Sequence, residues 1–437
     1  MEQLLLYDNI RTDAPAGKAA SLFGLLAQGH TGAVKDAGGR LRGDYYAVQR
    51  ALLLAAGASA DLTADVCADP PAGAASANLP AHTCWQDYIC RLVAESDNLF
   101  SLQAERGEVS KPLAALACRE TAFLRALYAL DWEKAAAAME DEASCVAVWD
   151  KAPSPWEGVH AALNMKDDAG AAAALAAYYE TSGGGMFARY HTFHWDGGLI
   201  GVEHTDPVTI DALIGYRAQK ERIIENVNFF TSGRPYNNML LYGDRGTGKS
   251  SSVKALLHHF ASRKLRLVAL PKEKIGDLPA LTEQLAPRGC KFIVFIDDLS
   301  FEENETGYKS FKSALEGGVR PQPANTLVCV TSNRRNIIKE IWRDREGQED
   351  VNLNDALQEK RSLADRFGLA VTFSAPDKSE YLEIVKGIAR RERLDMDEDE
   401  LASLALQWEI RQSGRSGRAA RQFIRHMASK TNEGIHN

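Results

Sequence analysis

LLYGDRGTGKSSSVKALL, residues 240–257, is the stretch on which the fold turns. An apolar run enters a loop with three glycines, and a lysine and a serine open a second run with helical spacing. Strand, loop and helix follow in that order. Gly243, Asp244, Arg245, Gly246, Thr247, Gly248, Lys249 and Ser250 together satisfy GxxxxGK[ST]. The glycines let successive backbone N–H groups converge on phosphate oxygens, and the helix start adds the positive end of its dipole. Lys249 is expected at the β and γ phosphates. Ser250 is expected on Mg²⁺, and Ser251 completes the cradle. A glycine-rich turn with a surface lysine would leave the Lys-Ser pair after the last glycine unexplained.

Outward from the loop, NMLLYG, LRLVAL, KFIVFIDDL, NTLVCVTSN and LAVTFSAP are short apolar runs separated by helical patterns, between about residues 206 and 376. That alternation predicts a parallel sheet covered by helices on both faces. After Pro376 the strands stop. DKSEYLEIVKGIARRERL, EDELASLALQWEI and GRAARQFIRHMASK predict three helices over 377–437, a small lid. Residues 1–180 are rich in Ala and Leu at helical spacing, in KPLAALACRETAFLRALYAL, DWEKAAAAMEDEASCVAVW and DDAGAAAALAAYYE, the last with Asp168 as the expected cap. Between them, 181–205 opens with the break TSGGG; MFARYHTFHW and GLIGVEH then flank a DGG turn, which predicts a β-hairpin. The expected organisation is an all-α N-terminal domain, a glycine linker with a hairpin, a nucleotide-binding α/β domain and a helical lid.

The candidate chemistry sits at the strand ends. FIVFIDDLS ends in Asp297 and Asp298, the first expected on the metal and the second as the base that polarises the attacking water, with Glu302 and Glu303 as rivals. LVCVTSN ends in Asn333, an amide suited to hold that water or the γ-phosphate. SLADRFGLAV places Arg366 just before the last strand, where it could reach a neighbouring subunit's γ-phosphate; Arg361 is its rival. GRSGRAARQF places Arg418 at the start of a lid helix, between Arg415 and Arg421.

In this order the elements resemble the AAA+ ATPases: Walker A, Walker B, sensor 1, arginine finger, sensor 2 and lid. The resemblance implies that Leu213, Ile214 and Gly215, in IDALIGYRAQKERIIENVNFF, line the pocket for adenine. LLYGDRGTGKSSSVKALL, FIDDLSFEE, TSNRRN and DRFGLAVTF are more closely similar to one bacterial AAA+ family, known as domain of unknown function 815, over about residues 185–430. It implies ATP and Mg²⁺, and assembly of copies when ATP is bound. One departure stands out. Many AAA+ proteins end the Walker B strand in Asp-Glu, and this chain has Asp-Asp, which puts turnover in question while leaving binding intact.

Composition narrows the partners. The first 200 residues hold 15 Lys and Arg against 25 Asp and Glu, and the remainder 36 against 34. An acidic N-terminal half is a poor footprint for nucleic acid. Only SNRRNIIKEIWRDR and RQSGRSGRAARQFIRHM favour a nucleic-acid-acting loader. A protein partner gripped by the N-terminal helices, with hydrolysis remodelling it, is the leading expectation; a slow-turnover switch or adaptor is the second. No apolar run of about 18 residues predicts a membrane span, and the acidic start MEQLLLYDNIRTD does not read as a secretory signal. Seven scattered cysteines without a CxxC fit reduced thiols in the cytoplasm. Cys84 with Cys90, and His191, His194 and His204, are read as packing residues rather than ligands.

Overall fold

The computed structural model describes residues 4–27, 48, 85–130, 155–300, 311, 315, 322–333, 366–411 and 414–433. The chain divides into two compact units, Met1–Arg189 and Tyr190–Asn437.

In the first unit the described elements are helical, and those of five residues or more are α1 (Asp8–Thr12), α2 (Ala14–Ala27), α3 (Trp85–Ala94), α4 (Leu99–Glu105), α5 (Lys111–Tyr128), α6 (Glu157–Leu163) and α7 (Asp168–Ser182). Tyr7, Trp85, Val93, Phe100, Leu124 and Tyr179 share one buried core. Two polar devices cross it. The buried Glu120 carboxylate accepts the backbone N–H groups of Leu5, Leu6 and Tyr7 at 2.9–3.3 Å, just ahead of α1. His160 bridges Asp87 through Nε2 (2.5 Å) and the Tyr128 hydroxyl through Nδ1 (2.9 Å). Asp168 is not the cap of α7. The preceding Asp167 is extended and accepts the Gly170 N–H (2.6 Å), while Asp168 turns outward to pair with Arg125. Of the helical stretches read from sequence, DWEKAAAAMEDEASCVAVW lies outside the described residues.

The second unit is built on seven strands: β1 (Thr192–Trp195), β2 (Leu199–Val202), β3 (Met239–Gly243), β4 (Leu265–Ala269), β5 (Lys291–Ile296), β6 (Thr326–Ser332) and β7 (Leu369–Phe373). Their order is β2-β1-β4-β5-β6-β3-β7. Every pair is parallel except β1 with β2. The five apolar runs are the five strands β3–β7. β6 is buried at every position and β5 at all but its first, as expected of strands covered on both faces. The DGG turn closes the hairpin, and β1 pairs in parallel with β4, so the hairpin widens the sheet. Helices α8 (Arg217–Thr231), α9 (Lys249–His259) and α10 (Leu278–Leu285) accompany the strands.

After β7 the chain forms α11 (Lys378–Arg391), α12 (Glu398–Arg411) and α13 (Gly417–Glu433), the three helices of the lid. Asp377 and Glu380 form a capping box that fixes the start of α11. The lid has its own core, built on Tyr381, Ile384, Leu401, Phe423 and Ile424, against which Ile214 and Tyr216 pack.

Candidate nucleotide site

β5, β6 and β3 lie side by side, so the loops leaving their C-terminal ends emerge together. This is where ligands settle in open α/β sheets. The loop after β3 needs its glycines. Gly243, Gly246 and Gly248 have φ of 131°, 76° and 97°. A Cβ on Gly243 would stand 2.1 Å from the Phe373 carbonyl oxygen, and one on Gly246 would stand 3.0 Å from Ser416 Oγ. The loop therefore runs hard against the end of β7 on one side and the lid on the other.

Lys249, the first residue of α9, is buried and folds back over the loop. Its Nζ donates to the carbonyls of Gly243 (2.9 Å) and Asp244 (2.7 Å) and to Asn333 Oδ1 (3.2 Å). Burial pushes its pKa down, against the pull of Asp244, Asp298 and Asp297. Ser250 Oγ donates to Asp297 Oδ1 at 2.6 Å. Thr331 Oγ1 donates to the same oxygen (2.5 Å) and accepts the Asp298 N–H (2.9 Å). Asn333 Nδ2 donates to Asp298 Oδ1. Asp298 sits in the left-handed region, φ 50°, which Asp tolerates better than most residues and which is common where chemistry is placed. Hydroxyl and carboxylate oxygens of Ser250 and Asp297 are hard ligands of the type Mg²⁺ takes together with phosphate oxygens. These residues fit that ion, which when bound would neutralise phosphate charge.

The cavity over the loop has a volume of about 800 Å³. Of the sequence candidates, Leu213, Ile214, Gly215, Arg245, Gly246, Thr247, Gly248, Lys249, Ser250, Ser251, Asp297, Asp298, Asn333 and Arg418 line it. Gly243 and Asp244 stand behind the wall, and the Asp244 carboxylate turns away to accept the Ala375 N–H (2.6 Å). Arg366 is exposed and outside the cavity wall. Glu302, Glu303 and Arg361 lie outside the described residues. The end of the cavity formed by Leu213, Ile214 and Gly215 lies against the lid: a Cβ on Gly387 would meet Ile214 at 2.7 Å, and Gly215, φ 80°, lies against Ile384.

The structure also settles which lid arginines face the cavity. Arg415 pairs with Glu409 at 2.9 Å, while Arg418, Arg421 and Arg425 line the cavity with Gln422. Their spacing of three, four and seven residues is one face of a helix, a signal already present in the sequence. The Arg418 N–H also donates to Gly246 O at 3.2 Å, seating the start of α13 on the phosphate loop. Thr331 was missed as well, although it stands two residues before Asn333 and so on the same strand face. Lys220, whose Nζ donates to Leu213 O (2.5 Å), was a third omission.

A parallel sheet with the glycine loop between β3 and α9, strand-end acids two strands away and a helical lid defines a P-loop protein of the AAA+ class. The chain belongs to the family described as Protein of unknown function (DUF815), whose model matches residues 188–431. No curated protein matches the chain. Among solved structures it is similar to the Thermotoga maritima RuvB Holliday junction branch migration motor, at 17% identity and a TM-score of 0.36, over 50% of this chain and 63% of that one. It is also similar to the replication initiator DnaA bound to AMPPCP and single-stranded DNA, at 17% identity and a TM-score of 0.36, over 53% and 68%. The chain thus spans less than two thirds of the RuvB structure it matches. Among the described residues no helix is long and apolar enough to cross a membrane.

Proposed function

We propose that this protein is a Mg²⁺-dependent ATPase that binds ATP between the sheet and the lid and uses hydrolysis to remodel a partner macromolecule. The observation that carries the reading is convergence: Lys249, Ser250 with Asp297, Asn333 with Asp298, and Arg418 come from four separate segments to one cavity. In this reading Lys249 and Arg418 bind the phosphates, Ser250 and Asp297 hold the ion, Asn333 positions the attacking water and Asp298 takes its proton. Leu213, Ile214 and Gly215 line the adenine end. Arg366 is assigned to the γ-phosphate of a neighbouring copy; its exposure outside its own cavity supports a role in trans. The N-terminal helices are assigned to a cytoplasmic protein partner. A nucleic-acid reading is weaker, because the basic face of α13 is turned to the cavity and Arg415 to Glu409.

The test is phosphate release by the wild type and by Asp298→Asn, with ATP retention measured alongside. Release by the wild type and its loss in the variant is the expected result. Equal, negligible release from both with ATP retained refutes hydrolysis and favours the second reading, a nucleotide-gated switch. The bond from Asn333 Nδ2 to Asp298 Oδ1, which keeps the base occupied, is the observation that favours that alternative.

A further inference from the structure

Asp244 occupies the second position of the glycine loop, yet it is not part of the cavity lining and its carboxylate is turned to Ala375. β3 and β7 are parallel neighbours with Gly243 opposite Phe373, so the phosphate loop and the chain leading to the lid leave the sheet side by side. That connection is short. It runs from Ser374 to the capping box at Asp377, and the lid beyond it has a core of its own. Phe373, the last residue of β7, and the first two residues of the connection are each gripped. Phe373 O accepts the Asp244 N–H (2.9 Å), Ser374 O accepts the Tyr216 hydroxyl (2.9 Å), and the Ala375 N–H donates to Asp244 Oδ2 (2.6 Å). Pro376 has no N–H, so Ala375 supplies the last backbone donor before the lid's own cap, where the Asp377 N–H meets Glu380 Oε2 (3.0 Å).

The other end of Asp244 is held by the phosphate-binding lysine, since Lys249 Nζ donates to Asp244 O at 2.7 Å. One residue therefore has its carbonyl on the group that meets phosphate and its carboxylate on the hinge. The geometry points to Asp244 as a positioning residue that couples occupancy of the phosphate loop to the lid hinge. The proposal rests on the nucleotide-binding reading above. When a phosphate draws Lys249 away, the Gly243 carbonyl loses that donor and the Asp244 carbonyl keeps only the Thr247 hydroxyl (2.8 Å), so the peptide that brackets residues 373–375 is freer to shift. The return contact, Arg418 N–H on Gly246 O, lies on the same loop, so two of the lid's attachments respond to one event.

Amide hydrogen exchange on the full chain tests this, with AMPPCP and Mg²⁺ as the probe so that hydrolysis plays no part. Without nucleotide, Asp244→Ala should exchange the Ala375 amide about tenfold faster than the wild type, as expected on removing a charged hydrogen-bond partner. Asp244→Asn keeps an acceptor and should restore protection. In the wild type, saturating AMPPCP should change exchange over residues 374–380; in Asp244→Ala it should bind without that change. A purely structural role would alter the melting temperature but leave the nucleotide response in place. Unchanged Ala375 exchange in Asp244→Ala, a retained nucleotide response, or no rescue by Asn overturns the proposal. If Asp244→Ala does not fold, Tyr216→Phe removes the other grip, and the Ala375 amide must then stay protected by Asp244 alone; its exposure overturns the latch. A wild type that releases no phosphate yet shows the exchange response loses the hydrolysis and keeps the latch. A wild type that hydrolyses with an unresponsive hinge does the reverse.

Discussion

Replacing Asn333 with alanine should separate nucleotide binding from turnover. Among the described residues Asn333 is the one side chain bonded to both Lys249 and Asp298, through Oδ1 at 3.2 Å from Lys249 Nζ and through Nδ2 on the Asp298 carboxylate. Its bond to Lys249 is the longest of the three that lysine makes, and the other two, at 2.9 and 2.7 Å, stay in place. Hydrogen bonds to charged groups contribute about 1.5–3 kcal/mol. The longest of three shared donors belongs at the low end, so Kd for AMPPCP should move by about tenfold or less. Hydrolysis should suffer more, since removing a preorganised polar group aimed at a developing charge costs about 10²–10³ in kcat. Single-turnover phosphate release beside a titration with AMPPCP gives both numbers. The reasoning is refuted if kcat stays within about threefold of the wild type, or if Kd rises by the factor by which kcat falls. Asp298→Asn combined with Asn333→Ala should lose little beyond the worse single variant, because residues acting as a unit are not additive.

Gly243→Ala should destabilise Tyr190–Asn437 by at least about 3 kcal/mol, combining left-handed strain with a Cβ placed 2.1 Å from a backbone oxygen; calorimetry should find its transition lowered by about 6–12 °C. Gly248→Ala, with φ 97° and open space around the new Cβ, should cost only the strain, so equal melting of the two variants would refute the close approach. Removing Mg²⁺ with EDTA should abolish phosphate release yet leave AMPPCP binding within about tenfold, because Lys220, Arg245, Lys249, Arg418, Arg421 and Arg425 line the cavity and outnumber Asp297 and Asp298 there. Arg425→Ala should weaken that binding about tenfold and flatten its salt dependence; loss of all binding in EDTA would show that the ion, not the arginines, carries the affinity.

The sequence was most legible where the chemistry is local. GDRGTGKS must be contiguous, because each glycine serves a turn in one loop. β5 and β6 were plain because burial on both faces leaves no polar alternation to confuse them. What could not be read is what tertiary proximity creates. Nothing in the spacing of Asp244 and Ala375, 131 residues apart, says that they share a hydrogen bond. Glu120 and Leu5, 115 residues apart, are a second such pair. The cap of α7 shows the limit at shorter range. Asp167 and Asp168 are both good N-cap residues, and the pairing of Asp168 with Arg125 on α5 accompanies the choice of Asp167.

The Asp-Asp that follows β5 puts turnover in question, and the shorter side chain of Asp298 makes reach the first explanation to weigh. The geometry shifts the question. Asp298 is fixed at both ends, its N–H on Thr331 Oγ1 at 2.9 Å and its carboxylate on Asn333 Nδ2, and these contacts hold it in a left-handed backbone conformation. The same Asn333 amide accepts from Lys249 with its other atom. A phosphate that engages Lys249 removes the donor from Asn333 Oδ1, and the amide can then turn toward the phosphate and release the carboxylate. The base would thus be freed by arrival of its own substrate. A slow enzyme of this design would be limited by that exchange of partners rather than by the length of the aspartate, and replacing Asp298 with the longer Glu would leave the rate unimproved while the bond to Asn333 persists.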